Sequence, residues 1–155
     1  MNRHKQRNDG IDPVARSRSR RRALQAIYAW QLSGTGEHDL IAQFAHEQAK
    51  EVADLEYFED VVRGVLKHVA TLDEALAAHL DRKVDEVDPI ERAALRIATY
   101  ELLHRADVPY RVVINEAIDS TKRFGSEHGH TYVNGVLDKA AATMRSVEAQ
   151  ASRQR

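Results

Sequence analysis

An all-α fold of about seven helices follows from three features of the 155-residue sequence. Apolar residues recur at spacings of three and four through most of the chain. No stretch alternates apolar and polar residues with period two for long enough to insist on a strand. Seven glycines and three prolines are too few for a turn-rich β fold. With 43% hydrophobic residues, the chain is long enough for one compact domain with its own core.

Residues 1–14, polar and carrying Gly10 and Pro13, show no periodicity and read as a flexible leader. A helix begins near Arg16, where Leu24, Ile27, Tyr28 and Leu32 follow an i, i+3, i+4, i+8 pattern. Ala23, Ala26 and Trp30 widen its stripe, and Ser33-Gly34 with Gly36 stops it. Leu40, Ile41, Phe44, Ala45 and Gln48 predict a second helix. Leu55, Phe58, Val62, Val65, Leu66 and Val69 predict a third, enough for a bundle. Thr71-Leu72-Asp73-Glu74 is a capping-box pattern, in which hydroxyl and carboxylate each satisfy an orphan backbone N–H, and it predicts a fresh helix carrying Leu72, Leu76 and Leu80.

Asp88-Pro89-Ile90-Glu91 is a stronger start: Asp caps, Pro fits the first helical position, and acids suit the positive end of the dipole. Ile90, Ala94, Ile97 and Ala98, with Leu95 and Leu102, make this helix apolar around much of its girth and hence central. Asp107-Val108-Pro109-Tyr110 interrupts the pattern. Val112, Ile114, Ala117, Ile118 and Thr121 resume it until Gly125, and Lys122 and Arg123 stand where the dipole favours cations. The β-branched run Val112-Val113-Ile114 reads as the start of that helix. The last helix opens near Thr131 with Val133, Val136, Leu137, Ala140, Ala141 and Met144, and residues 148–155 read as a frayed tail.

The net charge of -1 hides an asymmetry. Residues 1–22 hold eight Lys/Arg against two Asp, for +6; residues 37–91 hold fifteen Asp/Glu against five Lys/Arg, for -10; residues 92–155 hold ten against seven, for +3. Each pole acts locally at a Debye length of about 8 Å, so the basic end suits phosphates and the acidic middle suits either a basic partner or plain solvation. With no cysteine, disulfides, zinc-cysteine sites and thiol catalysis are excluded. No window approaches the roughly 18 apolar residues of a membrane span, and no signal core follows the basic start, so the expected location is cytoplasmic.

Catalytic patterns are missing. His128-Gly129-His130 lacks a further spaced ligand and reads as exposed loop histidines, so no metal or other cofactor is expected. His46-Glu47 lacks a second histidine, and neither a phosphate loop, G-x-G-x-x-G nor G-x-S-x-G occurs. Glu59-Asp60 and Asp73-Glu74 are adjacent on helices and point in different directions. No enzyme is predicted.

Binding is the remaining chemistry. Arg16, Arg18, Arg20, Arg21 and Arg22 place five guanidiniums in seven residues at a helix start, where the dipole and like charges both oppose them. Arginine offers phosphate a planar fork of donors and stacks on exposed bases, which makes an anionic polymer the compensating partner; the plainer alternative is a solubilising tail. A second cluster, Lys122, Arg123, Phe124, Ser126, Glu127, His128, His130, Tyr132 and Asn134, mixes charges with rings as single-stranded RNA recognition does. Phe124 and Tyr132 are equally readable as core residues beside a turn. If the last helices pack against the first, both clusters form one surface.

The segments ALQAIYAWQLSG, IERAALRIATYELLHRADVPYRVVINEAIDSTKRFG and HTYVNGVLDKAA, in that order, resemble the bacterial NusB family of transcription antitermination factors. That resemblance implies one domain over about 15–150 made of two small packed helical bundles, about 15–70 and 71–147, without enzymatic activity. It further implies binding of the box A element of ribosomal RNA leader transcripts with NusE, a small-subunit ribosomal protein, in a complex with NusA, NusG and RNA polymerase. Residue by residue, the family's arginine-rich motif falls on Arg16, Arg18, Arg20, Arg21 and Arg22, with Tyr28 on the helix behind. Its RNA face continues through Lys122, Phe124, His130, Tyr132 and Asn134, and its NusE face falls on Glu91, with Asp85 and Arg92.

Two departures from the family pattern stand out. Ser17 and Ser19 interrupt the basic run, and His128 follows Glu127 where an acid is commoner, which reduces repulsion of RNA. Two other classes compete. The same module begins RNA cytosine methyltransferases, but no cofactor-binding segment follows within these residues. A self-associating helical RNA-binding or protein-interaction module, including a homodimer, is the other.

Overall fold

The computed structural model describes residues 12–47 and 54–153. Within these residues the chain forms seven α-helices and no strand: α1 (Pro13–Ser33), α2 (Glu37–Glu47), α3 (Leu55–Ala77), α4 (Pro89–His104), α5 (Tyr110–Phe124), α6 (Gly129–Met144) and α7 (Ser146–Arg153), with a 3-10 turn at Val84–Glu86 before α4. No described helix is long and apolar enough to cross a membrane.

Helix α4 is the axis, packing against α1, α3, α5 and α6. Its girth is apolar because it serves two cores. On one side Ala93, Ala94, Ile97 and Tyr100 meet Leu24 and Ile27 of α1, Leu40 and Ile41 of α2, and Phe58, Val62 and Val65 of α3. On the other, Leu95, Ala98 and Leu102 meet Val113 of α5, Val133 and Leu137 of α6, and Leu76 from the end of α3.

Three expectations are corrected. Helix α1 starts at Pro13 rather than near Arg16, because Asp12 accepts from the N–H groups of Val14 (3.0 Å) and Ala15 (3.4 Å) and Pro13 takes the first helical position. The arginines therefore lie inside the helix. No new helix opens at Thr71: α3 runs through it, and the Thr71 hydroxyl donates back to the His68 carbonyl at 2.9 Å. The pattern of Phe58, Val62, Val65, Val69, Leu72 and Leu76 continues unbroken across that point.

The tail is not frayed where it is described. Helix α7 seats Ala149 at 3% exposure, and Glu148 accepts the first N–H of α5, that of Tyr110, at 3.0 Å. Residues 1–11 of the expected leader, Gln48 of the expected second helix, and 154–155 of the tail lie outside the described residues.

Candidate nucleic-acid interface

The buried stripe of α1 is Ala15, Ser19, Arg20, Ala23, Leu24, Ala26 and Ile27. This register puts one of the five arginines inside. Arg20 is 5% exposed; its Nε–H reaches Glu101 Oε1 and Oε2 at 3.1 and 3.0 Å, and its Nη2–H reaches Oε2 at 2.8 Å and the Tyr57 hydroxyl at 3.0 Å. Its Nη1–H donates to Glu116 Oε1 at 3.4 Å, and the Tyr57 hydroxyl donates to Glu101. Burial disfavours the charged guanidinium, but the adjacent Glu101 more than reverses this and raises the Arg20 pKa above its ordinary value. Burial, then Glu101, likewise pushes the Tyr57 hydroxyl up. Arg20 is a structural cation here, turned inward although the RNA-binding expectation counted it with the other four arginines.

Arg16 is largely withdrawn too. Its guanidinium lies 4.3 Å above the Tyr57 ring, 3.5 Å from Asp54 and 3.8 Å from Asp107. Arg18 is exposed, while Arg21 and Arg22 are half-buried at the helix flank, with Arg22 donating to Gln25 at 2.9 Å. Tyr28 and Phe124 both pack against the first core, so each ring is a packing element. That packing carries the end of α5 to α1. Consequently Arg21 feels Arg123: burial first, and then the charge of Arg123, with Arg22 and Arg18 in the same sense and Glu116 opposing, lower its pKa.

The second cluster is split by the period of α6. Lys122 and Arg123 are exposed at the end of α5, and His130 is half-buried. Tyr132 faces the α3–α4 connection, where its hydroxyl donates to Asp81 at 3.2 Å and the Arg82 guanidinium lies 4.6 Å above its ring. Asn134, two residues on, turns into a separate cleft of about 410 Å³ with Tyr110, Arg111, Asn115 and Asp138. Of the expected single surface, Arg18, Arg21, Arg22 and Arg123 are brought together, while Tyr132 and Asn134 lie on other faces.

The expected partner residues gather at the start of α4. Asp85 is exposed in the 3-10 turn, which Arg92 holds by donating to the carbonyls of Asp85 (3.1 Å) and Val87 (3.3 Å). Glu91 is 7% exposed and accepts from the Ser126 hydroxyl at 3.3 Å. A Cβ on Gly129 would stand 2.5 Å from Glu91 Oε2, so the α5–α6 loop closes directly onto this carboxylate. Burial, then Asp88, raises the Glu91 pKa, and the Ser126 hydrogen bond opposes the shift. Glu91 thus fastens the loop, and Asp85 and Arg92 form the outward edge.

Tyr57, Glu101 and Glu116 were not among the expected site residues. Glu101 had a legible signal: an acid inside a helix apolar around its girth requires a buried cation, and the arginine run could supply one. Among the described residues, no group of three or more histidines and carboxylates is placed to hold a metal ion. What the α1–α5 face offers chemically is a set of guanidinium donors for phosphate.

The sequence model of the NusB family matches residues 17–142. The transcription antitermination protein NusB of Xanthomonas axonopodis pv. citri (strain 306) is 71% identical over 146 residues, spanning 94% of this chain and 92% of that protein. Among solved structures, the chain is similar to one of the antitermination factors NusB and NusE in complex with double-stranded RNA, with a TM-score of 0.75 and 27% identity over 81% of this chain and 95% of that one. It is also similar to T. maritima NusB, with a TM-score of 0.74 and 30% identity over 87% of this chain and 96% of that one.

Proposed function

Because the chain belongs to the NusB family, we propose that it is a transcription antitermination factor that binds box A RNA of ribosomal RNA leader transcripts together with the ribosomal protein NusE. The observation that carries this reading is that Arg18, Arg21 and Arg22 share one flank of α1, a helix docked on α4 and α5 by Arg20 through Glu101 and Glu116, with Arg123 of α5 near enough to act on Arg21. Such a face takes up phosphates, and Arg20, locked to Glu101, holds it in place. That a solved relative joins NusB, NusE and RNA supports both partners.

NusE is assigned to the exposed edge at Asp85 and Arg92, with Glu91 acting from behind through the loop it fastens. A basic ribosomal protein matches the -10 charge of residues 37–91. The RNA–NusE assembly then joins NusA, NusG and RNA polymerase.

The test titrates labelled single-stranded box A RNA and a scrambled RNA with the protein, alone and with NusE, across a salt series. Box A is expected to bind more tightly than the scrambled strand, NusE to tighten it further, and Arg18→Ala and Arg22→Ala each to flatten the salt slope by about one. Equal affinity for both RNAs overturns the box A assignment. Size exclusion with and without NusE separates a NusE-binding monomer from a self-associating module.

A further inference from the structure

We propose that Arg82, in the α3–α4 connection, is a stacking platform for one RNA base, with Tyr132 of α6 as its support rather than as the ring on which the base lies. This rests on the RNA-binding reading and deepens it, adding a residue from outside both basic clusters whose contact is with a base instead of a phosphate.

The guanidinium is held along one edge and over one ring. Its Nε–H donates to Asp81 Oδ1 at 2.8 Å and its Nη2–H to Oδ2 at 3.2 Å, so the fork that would grip a phosphate already grips a carboxylate. Its Cζ lies over the Tyr132 ring, 4.6 Å from the centroid. Tyr132 in turn packs against the second core, and its hydroxyl donates to the same Asp81 Oδ1 at 3.2 Å. Asp81 thus ties ring and guanidinium together, and the plane has a fixed support.

Five other guanidiniums among the described residues lie over a ring, and none combines these features. Those of Arg16, Arg20 and Arg105 over Tyr57, and of Arg96 over Trp30, belong to side chains at most 21% exposed. Arg111 is exposed, but it stands 5.4 Å from the Tyr110 centroid, and its fork is on the neutral Ser152 hydroxyl. The Arg82 side chain is 43% exposed although held by both groups. An exposed pair such as Asp81–Arg82 adds little stability, so packing does not account for it.

The ligand's class follows from what is left open. With the fork on Asp81, the positive charge is offset where it stands, and Asp81, itself exposed, repels phosphates and acidic peptides alike. What Arg82 still offers is its planar surface, which stacks on a flat, uncharged π system such as a nucleobase. Its place favours a base of a bound strand over an aromatic side chain of a protein. Only residues 125–128 separate α6 from the exposed Lys122 and Arg123 at the end of α5, so a strand whose phosphates those cations hold finds the platform at the other end of the same loop.

The experiment measures binding of the full-length protein to labelled single-stranded box A RNA, intact and with each base in turn replaced by an abasic site, over a salt series. It compares wild type with Arg82→Lys, which keeps the cation and loses the plane, and with Arg111→Lys as the other exposed arginine over a ring. Arg82→Lys is expected to bind intact RNA about ten-fold more weakly with an unchanged salt slope, and Arg111→Lys to bind as wild type. At one position, removal of the base is expected to cost wild type about ten-fold and Arg82→Lys nothing further, because both changes remove the same contact. A general loss of fold would weaken intact and abasic strands alike and leave that difference in place.

Three results overturn the platform. Wild-type affinity in Arg82→Lys would make Arg82 at most a phosphate contact, which a lysine also provides. A loss in Arg82→Lys that leaves every abasic penalty as in wild type would place the base on another group, and an equal loss in Arg111→Lys would remove the distinction between the two arginines. If Arg82→Lys binds RNA as wild type but NusE more weakly, the plane serves an aromatic side chain of that partner and the base assignment falls. Arg18→Ala separates the two levels: if it weakens binding while Arg82→Lys does not, only the platform fails. If wild type binds box A no better than a scrambled strand, the RNA reading fails and takes the platform with it.

Discussion

Arg20 of α1 and Glu101 of α4 form a buried ion pair, with Nη2–H to Oε2 at 2.8 Å and Glu101 1% exposed. Removing one partner strands the other in the core, so Glu101→Ala is expected to cost about 3–5 kcal/mol of unfolding free energy. Replacing the three buried members by apolar groups leaves no buried partner stranded, because Glu116, the remaining partner of Arg20, is partly exposed to water. The triple variant Arg20→Met, Tyr57→Phe, Glu101→Leu is therefore expected to recover most of that loss in urea titrations. A triple variant as unstable as Glu101→Ala would show that the fold needs the charges themselves.

Arg145, at the α6–α7 junction, caps another helix. Its Nε–H donates to the Leu102 carbonyl at 2.7 Å, and its Nη2–H to those of Glu101 (3.1 Å) and Arg105 (2.9 Å) at the end of α4, the last two of which also accept from the backbone N–H groups of Arg105 and Val108. Its Nη1–H pairs with Glu148, which in turn accepts from the Tyr110 N–H that opens α5. Arg145→Ala should lower stability by about 2 kcal/mol, and Glu148→Ala by less, since Glu148 is half exposed. Denaturant midpoints check the order.

These two networks mark what the sequence made legible. Helix class, the central role of α4 and its Asp88-Pro89 start were readable because each is a local or periodic signal. Asp12-Pro13 is the same signal and opens α1, but the polar run before Arg16 masked it. The expected number of helices agrees only because two differences cancel: α3 absorbs the helix expected at Thr71, and α7 adds one at the end. A capping box is a local pattern that a continuing apolar stripe overrides. Within the site, the position of the arginine helix was readable and its rotation was not. Whether Arg20 or Arg21 faces inward depends on a partner far along the chain, Glu101, whereas the separation of Tyr132 from Asn134 follows from the period of α6 itself.

Helices α3 and α4 meet at Gly64, where an added Cβ would run into the Tyr100 ring. The ring cannot retreat easily. Its hydroxyl donates to both Asp60 oxygens at 3.0 Å, and His104 stacks on it at 5.2 Å between centroids. Gly64→Ala is expected to cost about 1–3 kcal/mol by overpacking. Gly129→Ala meets only the end of the Glu91 side chain, which can swing, and should cost less. Thermal melts of both variants test the ranking.

His104 gives this helix pair a pH dependence. Burial first, then the stacked His68 at 4.4 Å, lowers its pKa below the ordinary 6.5, while Asp60 opposes the shift. The unfolded chain then binds the proton more strongly than the folded protein. The stabilising contribution is complete above 6.5 and is lost as the pH falls from there through the lower folded value. His104→Gln should therefore show a smaller drop in melting temperature than wild type between neutral pH and about pH 5. Parallel curves for the two proteins would remove His104 as the cause.

Glu91 predicts the opposite sign. Burial first, and then Asp88, raises its folded pKa above 4.5, so the folded protein binds the proton more strongly than the unfolded chain. Its ionised form is a penalty, present in full above the folded value and relieved as the pH falls from that value towards 4.5. Glu91→Gln removes the charge yet keeps an acceptor for Ser126, so at neutral pH the variant should be at least as stable as wild type. As the pH falls through that window, wild type should gain on the variant until the difference disappears. The same variant separates two roles in partner binding. If Glu91 acts through the loop it fastens, Glu91→Gln retains NusE affinity while Glu91→Lys, which brings a cation under Gly129, loses it. Equal losses in both variants would instead make the carboxylate a direct NusE contact.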